Sequence, residues 1–123
     1  MMKKKIAVLL FFLTALLACE KEQEVVVKEY IYLNVDSVAT AKVYLHWSQS
    51  HSDKFQSYQV HYAKKTGFSI SNGSLYKTII DRNITNATVD SGLVSSQPFY
   101  FRVRLTKTDG TVFDTQEVPA TPN

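Results

Sequence analysis

Alternation of apolar and polar residues runs through most of this chain and limits what it can become. Val43, Leu45 and Trp47 alternate with Tyr44, His46 and Ser48, and Tyr58, Val60 and Tyr62 with Gln59 and His61. Phe99, Phe101, Val103 and Leu105 alternate with Tyr100, Arg102, Arg104 and Thr106. Successive side chains of a strand point to opposite faces, so a period of two marks strands with one face on a core. No sustained helical period follows residue 25. Turn-forming clusters divide the runs at 48–53, 64–67, 71–74, 81–83, 90–92, 95–98 and Asp109-Gly110. Asp-Gly between two such runs favours a tight primed hairpin turn. The pattern predicts strands near 30–36, 41–48, 55–63, 68–71 with 75–80, 86–90, 98–107 and 112–118. About seven short strands in this length are the pattern of an antiparallel β-sandwich. The chain has one Cys, so the core must hold without an intrachain disulfide.

Several residues carry a family resemblance. They are Val43-x-Leu45-x-Trp47, Tyr58-x-Val60-x-Tyr62, Leu93, Phe99-x-Phe101-Arg102-Val103 and the closing Pro119-Ala120-Thr121-Pro122. Together they resemble a fibronectin type III domain over about residues 28–122. The resemblance implies an all-β, seven-stranded, immunoglobulin-like antiparallel sandwich over 28–123. Two places depart from it. Six residues after Leu93 the family usually has a Tyr whose hydroxyl ties down a corner; here Phe99 stands there, with Tyr100 next. The alternation turns Phe99 inward. The Arg-Gly-Asp of integrin-binding members is replaced by Thr108-Asp109-Gly110, so integrin binding by that route is not implied.

The N-terminus has a different character. Lys3, Lys4 and Lys5 precede an apolar run over 6–18 that only Thr14 interrupts. As a helix the run reaches roughly 20 Å, short of the ~30 Å hydrocarbon core, which suits an export signal better than a membrane span. It ends Leu16-Leu17-Ala18-Cys19, which resembles the lipobox of bacterial lipoproteins. The resemblance implies a signal peptide over 1–18 and a diacylglyceryl thioether on Cys19. Residues 19–27 then form a lipidated, polar tether. Glu20, Glu22 and Glu24 resemble the surface-export signal of lipoproteins from Bacteroidetes; a plain solvated spacer fits them equally. The expected location is the bacterial cell envelope, lipid-anchored at the outer membrane, and surface-exposed if the acidic stretch acts as an export signal and not as a spacer. Asp36-Ser37-Val38 resembles the O-glycosylation motif of exported Bacteroidetes proteins and makes Ser37 a candidate modification site. The net charge of +3 resides in Lys3, Lys4 and Lys5, and the remaining chain is balanced. Nucleic acid needs an excess of phosphate-neutralising groups and is not an expected partner.

Little in the sequence points to catalysis. No Ser lies in a Gly-x-Ser-x-Gly elbow, no Gly-rich phosphate loop is present, and no carboxylate pair stands out. In the fold that the resemblance implies, His46 and His61 fall on strands of opposite sheets and face away from each other across a ~10 Å core, so they do not share a metal. His51 and Asp53 alone are too few ligands. The histidines read as solvated surface groups. No catalytic residue, metal or cofactor is assigned. The outward residues Gln59, His61, Tyr100, Arg102 and Arg104 form a candidate binding face. Aromatic and guanidinium groups side by side stack on sugars or pair with carboxylates. The same residue types also occur on ordinary solvated sheets. Tyr30, Tyr32 and Tyr44 suit cross-strand pairing on the other face. The expected function is a lipid-anchored, non-enzymatic binding module with membrane lipid, and an envelope protein or polysaccharide, as partners. The alternative is a structural accessory or spacer of an envelope complex.

Overall fold

The computed structural model describes residues 30–123; the leader, Cys19 and the polar tether lie outside them. The alternating runs become eight strands: β1 Leu33–Ala39, β2 Lys42–Trp47, β3 Phe55–Ala63, β4 Ser74–Ile79, β5 Asn86–Val89, β6 Phe99–Lys107, β7 Val112–Asp114 and β8 Val118–Ala120. They form two antiparallel sheets. The smaller has the order β1-β2-β5; the larger has β4-β3-β6-β7, with β8 also paired to β6. Val43, Tyr58, Val60, Val89, Phe99, Phe101, Val103 and Leu105 are fully buried between them. Ile31, Leu33, Leu45, Trp47, Ile79, Ala87 and Ala120 complete this core, while Val35, Tyr62 and Leu93 are only half-buried around it.

The strand count is eight, not seven, because the last run breaks. Thr115 donates its backbone N–H to Val103 O, and Thr115 Oγ1 accepts the Val103 N–H at 3.0 Å. A hydroxyl thus replaces a ladder carbonyl. Gln116 reaches across the sandwich, donating from Nε2 to Leu33 O at 2.8 Å and accepting from Leu33 N at 3.4 Å. On the opposite flank, the Tyr76 hydroxyl of β4 reaches β5 and its end, sharing its proton between Asp90 Oδ1 at 2.7 Å and Thr88 O at 2.9 Å. These two side chains join the edges of the sheets.

Other local expectations are corrected. Residues 68–71 are not a strand: Phe68 and Ile70 are buried, and Ile70–Asn72 forms one 3-10 turn. The first strand starts later and contains a bulge between Val35 and Ser37, which turns Ser37 outward opposite Tyr44 and Val38 inward opposite Val43. The Asp109-Gly110 hairpin is not a primed turn. Of the two residues only Gly110 has positive φ (88°), whereas a type I′ turn needs it at both central positions. Gly110 N bonds Lys107 O and Lys107 N bonds Thr111 O, giving a three-residue loop that closes on a left-handed glycine.

Candidate functional site

The five residues of the expected face lie on adjacent strands. Gln59 is opposite Arg104, His61 opposite Arg102, and Ala63 opposite Tyr100. Their environments differ sharply.

Arg104 is committed. It forms a two-pronged pair with Asp114 of β7, Nε to Oδ1 at 2.7 Å and Nη2 to Oδ2 at 2.9 Å. The bonds to Asp114 raise the Arg104 pKa above its ordinary value. His61 is not the solvated group expected from sequence: it is 6% exposed. It sits on a central strand between Leu75 of β4 and Arg102 of β6, so long neighbours flank it on both sides. Its Nε2 lies 3.4 Å from Gln59 Oε1, and its Nδ1 is buried without a partner. Burial, then the nearby Arg104 charge, lower its pKa; Asp114 opposes them.

Arg102 is more available. Its guanidinium lies 5.6 Å from the centroid of the Phe68 ring, within cation–π range, and its Nε is buried without a hydrogen-bond partner. Phe68 is carried there by the β3–β4 connection. Glu117, from the break between β7 and β8, clamps that connection. Its carboxylate accepts from Thr66 Oγ1 (2.7 Å), Gly67 N (2.7 Å) and Phe68 N (3.3 Å). Burial by itself raises the Glu117 pKa, but these bonds and the Arg102 charge outweigh it and bring it below the ordinary value. The connection borders an open depression of about 420 Å³, lined by Ala63, Lys64, Lys65, Thr66, Gly67, Phe68 and Asn72; Arg102 reaches it through Phe68 and Tyr100 through its pairing with Ala63. The sequence placed Tyr100 and Arg102 on this face, but Phe68, Glu117 and the lysine-lined depression were not anticipated. The separation of Glu117 from 66–68 in the chain left no local signal.

The other expected residues scatter. His46 contacts Asp36 on the outer face of the smaller sheet. Tyr30 packs edge-on against Phe113 of the larger sheet, ring centroids 5.4 Å apart, and not against Tyr32 or Tyr44. Ser37 is exposed on β1. Phe99 is buried and has no hydroxyl for a corner bond. A different tyrosine does comparable work: Tyr58 Oη accepts from Ser50 N at 2.8 Å and donates to Arg82 O at 3.0 Å. Among the described residues, no three His, Cys, Asp or Glu side chains cluster as metal ligands would.

Known structures share this architecture. The chain superposes on a fibronectin type III domain of human contactin 1 with a TM-score of 0.62 and 13% identity, covering 78% of this chain and 80% of that one. It also matches pectate lyase Pel3 of Pectobacterium carotovorum (TM-score 0.63, 10% identity, 77% of this chain). A third match is the spore cortex lytic enzyme SleM of Clostridium perfringens (0.56, 18%, 75%). It spans only 27% of each of those two enzymes. These likenesses are of fold alone. No curated protein matches the chain. The sequence model of the fibronectin type III domain matches residues 32–121, and the chain belongs to that family.

Proposed function

We propose that this chain is a lipid-anchored cell-envelope protein that presents one non-catalytic fibronectin type III module to a protein or glycan partner. The anchoring part is supported by the basic start, the apolar run and Leu16-Leu17-Ala18-Cys19, with the outer membrane as the site of attachment. The binding part is carried by one observation. Arg102 lies over Phe68 and Tyr100 pairs with Ala63, two residues that line a depression bearing Lys64 and Lys65, and Arg102, unlike Arg104, is not spent on a carboxylate fork. Cationic groups next to an aromatic ring suit an acidic sugar or a carboxylate-bearing protein surface. Ser37, exposed on β1, is the proposed O-glycosylation site.

A structural accessory or spacer is the second reading. It is favoured by the internal satisfaction of Arg104 and the sheltering of His61, which leave less of the face free for a ligand. The test is capture of envelope partners and of polygalacturonate by the acylated full chain. The binding reading expects Arg102→Glu with Lys65→Glu to abolish capture while the fold persists, since neither side chain is part of the Arg104–Asp114 pair. Capture that survives both charge reversals removes the face from the account and leaves the spacer reading.

A further inference from the structure

The tether joins the sandwich at a particular end. Tyr32 N donates to Ser48 Oγ and Ser48 N to Tyr32 O, so the chain enters beside the β2–β3 loop. The β4–β5 and β6–β7 loops lie at the same end. Trp47 N bonds Thr85 O, Arg82 Nη1 bonds Ser52 O, and Thr108 N bonds Lys54 O. Seven large apolar side chains are exposed among the described residues, and five of them are here. They are Tyr30, Tyr32, Ile80, Ile84 and Val112, with Ile80 81% exposed. The β1-β2-β5 register continues to place Tyr32, Ser48 and Ile84 in a row across the smaller sheet.

Resting on the reading that Cys19 is acylated, we infer that this entry end seats on the lipid surface that holds the anchor. The exposed face of Tyr100, Arg102 and the depression is then directed away from it. Three observations support a bilayer as the occupant. First, the ten residues between Cys19 and Tyr30 can reach at most about 36 Å, so the end is never far from lipid. Such a short tether gives an effective concentration at the surface high enough to populate a weak contact. Second, Ile and Tyr are side chains that partition into the headgroup boundary. Third, the loops carry Lys54, Arg82 and Lys107 against Asp53, Asp81 and Asp109, a balance that neither attracts nor repels an anionic surface. The contact is therefore apolar and insensitive to salt.

The test uses the acylated full chain in vesicles of phosphatidylethanolamine and phosphatidylglycerol. Acylation masks Cys19, so single cysteines from Ile80→Cys, Ile84→Cys and Lys65→Cys take a nitroxide label. Labels at 80 and 84 are expected to show a severalfold higher ratio of oxygen to water-soluble nickel accessibility than the label at 65, unchanged by added salt. With Ile80→Glu and Ile84→Glu in place, a label from Val112→Cys should become open to nickel. An acylated chain whose labels at 80 and 84 are as open to nickel as that at 65 overturns the docking alone. A chain whose intact mass shows no acyl groups on Cys19 overturns the anchoring as well.

Discussion

At the entry end of the sandwich, loops far apart in sequence meet through hydrogen bonds on one buried hydroxyl, that of Tyr58. At the opposite end the β3–β4 connection is held by a carboxylate, Glu117, and by close packing of Phe68 on Gly73. A Cβ on Gly73 would lie 2.7 and 2.8 Å from Phe68 ring atoms and 3.1 Å from Tyr62 O. The loops of the first end bury little apolar surface and are joined by polar bonds, although Trp47 Nε1, against Tyr58, is buried without a partner. The second buries a ring, and its polar clamp lies at the surface. Loss of one partner in a buried hydrogen bond leaves the other unsatisfied, whereas crowding a packed ring forces a local shift that the exposed connection can absorb.

The largest expected effect follows from Tyr58→Phe. It orphans the fully buried Ser50 N–H and the Arg82 carbonyl, and should lower the unfolding free energy by about 2–4 kcal/mol, read from the urea midpoint. Amide exchange should quicken in both 48–54 and 80–85, because one hydroxyl serves both loops. Exchange that rises in only one of them would break the contrast.

Next comes Gly73→Ala, which should cost about 1–3 kcal/mol by displacing Phe68. Its exchange signature should be confined to 64–73, and the Arg102–Phe68 contact should be lost. An unchanged urea midpoint would show that the ring moves freely and that this end is looser than its packing implies.

The smallest effect concerns His61, in the middle of the larger sheet. The unfolded histidine takes up a proton near its ordinary pKa of ~6.5, and the folded one only at lower pH. Protonation therefore favours the unfolded chain, and stability present above about pH 7 should decline as pH falls towards 5. His61→Gln should flatten that slope relative to the parent chain. An identical slope in both would assign the decline to other groups.

The faces of the strands were legible because alternation fixes them. Once Tyr58, Val60 and Phe101 point inward, Gln59, His61, Arg102 and Arg104 must point outward, and antiparallel pairing sets them side by side. Burial on the outer face was not legible. His61 lies on a central strand with Arg102 on one side and Leu75 on the other, and a pattern of period two carries no information about neighbours across the sheet. Phe68 read as part of a strand because it alternates with Ile70 across Ser69; its fate depends on Gly73 and Glu117, which act through space. The break at 115–117 was hidden for the same reason: Thr115 and Gln116 replace backbone partners with side-chain atoms, and a strand-like run looks unchanged by that.

Gln116 and Tyr76 have a consequence for crowding. The amide of Gln116 occupies the outward N–H and carbonyl of Leu33, and the phenol of Tyr76, shared with Asp90, covers the outward carbonyl of Thr88. Both margins of the three-stranded sheet are thus partly plugged by side chains from its neighbour. Where many copies stand shoulder to shoulder, these plugs deny an incoming strand the groups it would need to extend that sheet, and so guard against runaway polymerisation.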